Sequence, residues 1–221
     1  PHPLINFSEK KCEMPIDTVP PCPPVLAATA DCNLSQNTLV WTDPNNYCSR
    51  DAKYYTIYYA PVEDTALTYL TTINNIVDTV FIQSNLVSLA GCYAVTATDS
   101  AGNQSAFSNI VCVDNCPQYQ LPNVFTPDND GKNDFYIPIP PVKYIKNIDI
   151  KIFNRWGQVV FETSDPNINW DGTNQNDKSK CAEGTYFYIC TVNEIRVSGI
   201  KPFVLKGFIE LLRNKNGGTQ Q

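Results

Sequence analysis

Short runs of β-forming residues, bounded by Pro, Gly, Asn or Asp, dominate the 221-residue chain. No segment shows the 3.6-residue periodicity of an amphipathic helix, and 17 prolines interrupt the chain. Val, Thr and Tyr, which fit a pleated and half-buried surface, are common in these runs. The sequence therefore predicts an all-β fold, and a hydrophobic content of 43% is enough for packed cores.

The spacing of the runs divides the chain into two units of about a hundred residues each. The predicted strands are 25–30, 38–42, 54–60, 79–82, 92–98 and 107–113 in the first unit, and 124–125, 135–139, 148–153, 158–162, 185–192 and 203–212 in the second. These short strands indicate two tandem β-sandwiches of the immunoglobulin or fibronectin III kind. We place a linker or the end of a preceding domain at 1–21, the sandwiches at 22–116 and 117–214, and a flexible tail at 215–221.

The net charge and the histidine content argue against several classes of function. The formal net charge is −6, with −7 on residues 1–117 and +1 on residues 118–221, which argues against a nucleic-acid groove or an anionic membrane as partner. His2 is the only histidine, so a Ser/His/Asp triad, a Cys/His pair or a multi-His zinc site is nearly excluded. We therefore expect no enzyme. A glycoside hydrolase fragment would need two carboxylates facing each other in a cleft, which the sequence does not locate.

The chain has neither a membrane-spanning stretch of roughly 18 apolar residues nor the start of a signal peptide. We expect a mature or excised fragment. Nine cysteines without a Cys-x-x-Cys pair indicate disulfides and an oxidising space outside the cytosol.

The cysteine pairs follow from the predicted strands. A strand, a turn at Gly102 and a second strand place Cys92 opposite Cys112. The other candidate pairs are Cys32 with Cys48 and Cys22 with Cys116, and a pair of Cys181 with Cys190 is left open. Cys12 then has no candidate partner in the chain.

Ordered motifs run through the second unit. They are 121–134 (LPNVFTPDNDGKND), 152–157 (IFNRWG), 160–162 (VFE), 169–172 (NWDG), 183–188 (EGTYFY) and 206–209 (KGFI). They resemble the gliding-motility-associated C-terminal domain, the type-B sorting signal of the type IX secretion system. The family usually has Asn-Gly where this chain has Asp128-Asn129, a change that the turn should tolerate.

The first unit resembles a fibronectin III module. The resemblance rests on Trp41 in an early strand, on the tyrosine-rich strand 54–59 and on 93–99 before a Gly-Asn turn. Large surface adhesins that end in a type-B domain often carry such modules just before it, so the chain resembles the C-terminal fragment of one.

These resemblances imply a secretion and surface-display signal for a gliding or adhesion protein. The protein would cross the periplasm of a Gram-negative gliding bacterium, pass the type IX translocon and remain at the cell surface with an outer-membrane barrel of the PorP/SprF type. The alternative is an extracellular adhesive module that binds carbohydrate or protein through Tyr54, Tyr55, Tyr58 and Tyr59.

Two segments of the second unit are candidates for partner docking, since Trp and Arg dominate interface energies. The hairpin tip contributes Arg155, Trp156 and Gly157, and the last strand contributes Lys206, Phe208, Ile209 and Leu211. Two competing interpretations stay open: Trp156 folds onto its own sheet, and the last strand is central and covered on both faces.

Two further patterns concern metal binding and modification. Asp128, Asp130 and Asp134 alternate around Gly131 as calcium ligands do, although the interpretation that we favour is that their side chains cap the backbone, and we expect no other cofactor. Asp followed by Thr or Ser and an aliphatic residue resembles an O-glycosylation pattern of such bacteria, with acceptors Thr18, Thr65, Thr79 and Ser100.

Overall fold

The computed structural model describes residues 17–213 and is built almost entirely of strands. Half of the residues, 50%, lie in strands and 2% in helix, which confirms the predicted all-β class. The short helix is a 3-10 turn at Pro44–Asn46, capped by the Asp43 carboxylate. Within residues 17–213, no helix has the length and apolar character needed to cross a membrane.

The first sandwich comprises seven strands in two antiparallel sheets. The strands are β1 (Leu26–Asp31), β2 (Gln36–Trp41), β3 (Ala52–Ala60), β4 (Thr68–Ile73), β5 (Val80–Gln83), β6 (Gly91–Asp99) and β7 (Val111–Val113). One sheet has the order β1-β2-β5 and the other β4-β3-β6-β7. Trp41 and Tyr55 meet edge to face between them, with ring centroids 5.3 Å apart, and this contact anchors the core.

The second sandwich comprises the remaining seven strands. They are β8 (Gln118–Gln120), β9 (Val124–Phe125), β10 (Ile139–Lys143), β11 (Ile145–Phe153), β12 (Val159–Thr163), β13 (Gly184–Arg196) and β14 (Gly199–Leu211). A five-stranded sheet has the order β12-β11-β13-β14-β9, and β8 pairs with β10 in a second, smaller sheet. The long hairpin β13–β14 therefore lies at the centre of the larger sheet.

Trp170 is the centre of the second core. Its ring is fully buried and contacts Phe125, Phe161 and Tyr186, with centroid distances of 5.1, 6.1 and 5.5 Å. The indole N–H donates to the Thr173 carbonyl at 2.8 Å, which satisfies its one polar group. The aromatic contacts and the hydrogen bond together hold the loop around Trp170 against the sheet.

Buried isoleucines alternate with exposed polar residues along β11, but some other strands differ from the sequence prediction. Ile148, Ile150 and Ile152 are buried, whereas 135–139 is not a regular strand and β4, β8 and nearly all of β10 were missed. The predicted strand 107–113 is shortened to β7 because side chains replace part of the ladder. The Ser105 and Ser108 hydroxyls accept from the Ala97 and Val95 amides, both at 3.0 Å.

One predicted disulfide forms, and the other two form with their partners exchanged. Cys92 is bonded to Cys112, as the hairpin suggested, but the other two bonds join Cys22 to Cys48 and Cys32 to Cys116. The predicted pairs Cys32–Cys48 and Cys22–Cys116 are therefore wrong.

The β1–β2 hairpin explains the exchange. Leu26 pairs with Trp41 at one end of the hairpin and Asp31 pairs with Gln36 at the other. Cys22 and Cys48 lie beyond the first end and Cys32 at the second, about 20 Å away at 3.3 Å per residue.

Cys181 and Cys190 are free and buried, so the candidate bond between them does not form. The Cys181 amide donates to the Gly172 carbonyl, whereas Cys190 lies within β13 opposite Leu205. β13 runs extended from Gly184 to Cys190, about 20 Å, which carries Cys190 away from the segment that holds Cys181. Cys12 and the tail 215–221 lie outside the described residues, as does most of the predicted linker 1–21.

We predict that both free thiols are inert in the folded protein. Burial raises the pKa of Cys181 and raises the pKa of Cys190 from 9.0 to about 12, so little thiolate forms near pH 8. In a Cys12→Ser variant, a thiol reagent at pH 8 should label neither cysteine natively and both after unfolding. Labelling at the same rate in both states would contradict the burial.

The raised pKa of Cys190 also determines whether the stability of the protein rises or falls with pH. Below about pH 9 the Cys190 thiol keeps its proton in both states, so its contribution to stability is fully present. Between pH 9 and 12 the unfolded chain loses this proton first. A Cys190→Ala variant should therefore lose less stability than the parent over that range in urea titrations.

Candidate docking surface

The tip of the β11–β12 hairpin is a tight turn built by Asn154. Its side-chain oxygen accepts from the Trp156 and Gln158 amides, both at 3.0 Å, and its carbonyl accepts from Gly157 at 2.9 Å. Gly157 has φ +77°, a conformation in which a side chain would be strained. The turn therefore has a fixed shape.

Trp156 projects from this turn into solvent and does not fold onto its own sheet. Its side chain is 78% exposed, and the Arg155 guanidinium lies 5.9 Å from the ring centroid. That distance is within the range of a cation–π contact. The hairpin tip thus presents an exposed aromatic ring beside a positive charge.

A cleft of about 580 Å³ lies between the hairpin tip and the segment that leads into β13. Its walls include Arg155, Trp156, Glu183, Tyr186 and Phe187. Burial raises the pKa of Tyr186 to about 12, and its protonated hydroxyl donates to the Ala182 carbonyl at 2.8 Å. The cleft therefore combines aromatic walls with one charge of each sign.

The solvent-facing side of the five-stranded sheet continues this aromatic surface. Phe153 pairs with Phe187, and Phe187 pairs with Phe208, so three phenylalanines form a row across β11, β13 and β14. Directly paired residues share a face of the sheet. Phe187 is 51% and Phe208 47% exposed. We call this row, with Ile189 and Val204, the outer face.

Lysines border the outer face. Lys151 pairs with Ile189, which pairs with Lys206, so a Lys-Ile-Lys row follows the phenylalanine row. Lys151 also lies 3.4 Å from Glu162, whereas no salt bridge in the described part of the chain involves Lys206. A partner that covers this face would therefore contact apolar and cationic groups together.

The structure corrects the docking candidates in the last strand. Phe208 and Lys206 are exposed, but Ile209 and Leu211 are fully buried in the second core. Side chains alternate between the two faces of a strand, so neighbouring residues of β14 cannot all meet one partner. The alternative of a strand covered on both faces is also wrong, because the outer face is open among residues 17–213.

β14 also has an open edge. The Glu210 and Leu212 amides donate towards β9, to the carbonyls of Asn123 and Phe125. Because the direction of the backbone groups alternates, those of Val204, Lys206 and Phe208 point to the same side. β9 pairs only with Glu210 and Leu211, and no other described strand pairs with the part of the edge that holds these three residues. Pro202, which has no N–H, lies farther along this edge.

The aspartate loop caps its own backbone. Asp134 accepts from the Asn129 amide at 2.6 Å and the Gly131 amide at 2.8 Å, and Asp130 accepts from Lys132 at 2.8 Å. Oxygens of Asp128, Asp130 and Asp134 also lie within 4.8 Å of one another. The capping role is visible in these bonds, and calcium binding stays a prediction.

The four tyrosines of β3 do not form one ligand face. Tyr55 is fully buried, the Tyr59 hydroxyl donates to the Ala90 carbonyl, and the Tyr58 hydroxyl accepts from Gln104. Tyr54 is partly buried. The strand instead contributes tyrosines to both sides of its sheet, as a packed sandwich requires.

The predicted docking residues did not include Phe153, Phe187, Ile189 or Val204. Each lies in a predicted strand, but their common position depends on the register between strands far apart in the sequence. The sequence feature that could have identified them is the apolar character of both faces of 185–192. It indicates a strand whose second face also has a role.

The family comparison identifies the second sandwich. Residues 119–211, somewhat less than half of the chain, match the family model of the CHU_C type IX secretion signal domain. The second sandwich is therefore a type IX secretion signal domain, and such a signal implies export to the cell surface or the extracellular space. No curated protein matches the chain.

Among solved structures, the chain is similar to the FN1–FN3 domains of chicken CNTN1. The sequence identity is 14% and the TM-score 0.33, with 86% of this chain and 68% of that chain covered.

We predict that Asp134→Ala destabilises the aspartate loop more than Asp130→Ala. The first change removes the acceptor of two backbone amides and the second of one, and each lost cap costs about 1 kcal/mol. Urea denaturation measures the difference. Equal losses would contradict the capping role.

The same samples test calcium. If the loop binds the ion, millimolar Ca²⁺ raises the thermal midpoint of the parent over a chelator control, and Asp134→Ala abolishes the rise. An unchanged parent midpoint removes calcium from consideration.

Proposed function

We propose that residues 117–214 are the C-terminal secretion and surface-display signal of a larger exported protein, and that an outer-membrane barrel of the PorP/SprF type recognises it. The single observation that carries the recognition step is the outer face, an exposed aromatic row on a sheet whose opposite side is already a packed core. Large exposed apolar patches on soluble domains mark interaction sites.

Two features of the surface support recognition by a folded partner. Trp156 and Arg155 are residue types that dominate interface energies, and they line the same cleft as Phe187, the middle member of the phenylalanine row. The open edge of β14 offers the backbone groups of Val204, Lys206 and Phe208 to an added strand. Shape and exposed groups, and no reactive residue, would then carry the function.

The presence of this signal domain also suggests the kind of protein to which the chain belongs. We propose a gliding or adhesion protein at the surface of a Gram-negative gliding bacterium, with no catalytic role for this chain. In this proposal residues 22–116 are a fibronectin-like spacer, and the chain is the C-terminal fragment of a large adhesin.

The export test is a reporter fused to residues 1–221 in a bacterium with the type IX system. Phe187→Ser, Phe208→Ser and Trp156→Ala should each lower surface display several-fold, because each removes exposed apolar area from the outer face or its cleft. Surface proteolysis and antibody labelling of intact cells measure display.

A matched pair controls for general loss of apolar surface. Val204, on the outer face, and Val80, on the first sandwich, are 53% and 50% exposed. Val204→Ser should reduce display and Val80→Ser should leave it unchanged. Full display by all outer-face variants, or by a fusion that ends at residue 116, would refute the proposal.

We also propose O-glycosylation of the first sandwich and of the segment that precedes it. Thr18, Thr65 and Ser100 are exposed, which favours access, whereas Thr79 is half-buried. The Thr65 hydroxyl donates to the Val62 carbonyl at 2.6 Å, a bond that modification would break. The intact mass of protein from its native host should exceed the polypeptide mass, and an unmodified mass would reject the assignment.

A further inference from the structure

The turn of the β13–β14 hairpin lies against the first sandwich. Val197, in this turn, is buried together with Ala60, Ala90 and Cys92 of the first sandwich, and Leu67 packs against the same cluster. The cluster is separate from both sandwich cores. One side chain of the second sandwich therefore completes an apolar contact that the first sandwich would otherwise expose.

Backbone hydrogen bonds hold the same turn from two sides. The Val197 amide donates to the Asp114 carboxylate at 2.9 Å, and the Val197 carbonyl accepts from the Glu63 amide at 2.9 Å. Glu63 lies between β3 and β4, and Asp114 follows β7. Because the two partners come from different segments of the first sandwich, the bonds fix the orientation of the turn as well as its position.

Asn115 joins the two sandwiches through one buried amide group. Its oxygen accepts from the Leu89 and Ala90 amides at 2.8 and 3.2 Å, and its nitrogen donates to the Ile195 carbonyl at 3.0 Å. Buried polar groups need such partners, since an unpaired one is costly. Separation of the sandwiches would leave this amide half satisfied.

Arg196 adds a charged contact beside these bonds. Its guanidinium donates to Glu194 at 2.7 Å, to the Asn115 carbonyl at 3.3 Å, and lies 3.8 Å from the Asp114 carboxylate. Asp114 thus faces both the Val197 amide and the Arg196 charge. The Asp114 carboxylate of the first sandwich and the Arg196 guanidinium of the hairpin complement each other in charge at this point.

We propose that these contacts form a rigid joint, so that the first sandwich holds the signal domain at a fixed angle and the two move as one body. Neighbouring domains move relative to each other by default unless their interface constrains them. Here directional bonds surround a buried side chain. The inference rests on these contacts alone and does not depend on the identity of the export partner.

The joint has a consequence for the outer face. Phe187 lies nine residues before Arg196 along β13, about 30 Å at 3.3 Å per residue. The aromatic cleft is therefore at the end of the signal domain that is remote from the first sandwich. A rigid joint would present that end outward, away from the rest of the exported protein.

The test uses residual dipolar couplings of the 221-residue protein in solution. One alignment tensor should fit the couplings of both sandwiches. Val197→Asp should require two different tensors, because it places a carboxylate in the apolar cluster. Ser198→Asp, the same change at the adjacent exposed residue, should keep one tensor. Unchanged spectral dispersion within each sandwich shows that the variants are folded.

A second variant and a second measurement approach the joint from the first sandwich. Asn115→Asp keeps the acceptor for Leu89 and Ala90 but replaces the donor to Ile195 with an oxygen. It should also separate the tensors and speed exchange of the Glu63 amide hydrogen on the order of tenfold or more. Two tensors in the parent, or one tensor in both joint variants, would overturn the proposal.

Discussion

The pairing of β13 with β14 is the interaction on which the rest of the signal domain depends. Thirteen residue pairs run from Gly184–Leu211 to Arg196–Gly199 without a register shift. One face of this ladder supplies Tyr186, Cys190 and Ile209 to the core. A slip by one residue would move each of these side chains to the opposite face. The register of one hairpin thus determines the core, the outer face and the position of the turn at Val197.

Close packing makes this register specific. Gly207 pairs with Tyr188, and a Cβ at position 207 would lie 2.7 Å from the Tyr188 hydroxyl. A side chain at position 207 would force the tyrosine ring to move, so the close contact favours this alignment of β14 against β13. The aromatic row of the outer face is then a consequence of the same alignment, because Phe187 and Phe208 are the next pair along the ladder.

Local sequence patterns predicted local structure well and spatial relationships poorly. The alternation of Ile148, Ile150 and Ile152 with polar residues is visible in the sequence itself and indicates one buried face, because the period of a strand is a property of adjacent residues. The exchange of disulfide partners and the row Phe153–Phe187–Phe208 depend on which strands are neighbours, which no local pattern encodes. The assignment of Ile209 and Leu211 to a docking surface failed for a simpler reason, since they alternate with Phe208 and belong to the inner face.

The joint was beyond prediction for the same reason. Val197 and Asn115 carry no recognisable motif, and their relation depends on the length of the hairpin and on where β7 ends. Hydrogen bonds of this kind are specific only once the two sandwiches are in place. The sequence could indicate two units, but not that they share a buried amide and an apolar cluster.

The bond between Cys32 and Cys116 has a mechanical consequence for the first sandwich. Tension applied between the preceding chain and the signal domain would enter the sandwich near Cys22 and leave it after Cys116. The covalent link between Cys32 and Cys116 would carry that load directly, so residues 33–115 would bear almost none of it. The first sandwich could then lengthen only by the short stretch between Cys22 and Cys32 and would otherwise behave as an inextensible link.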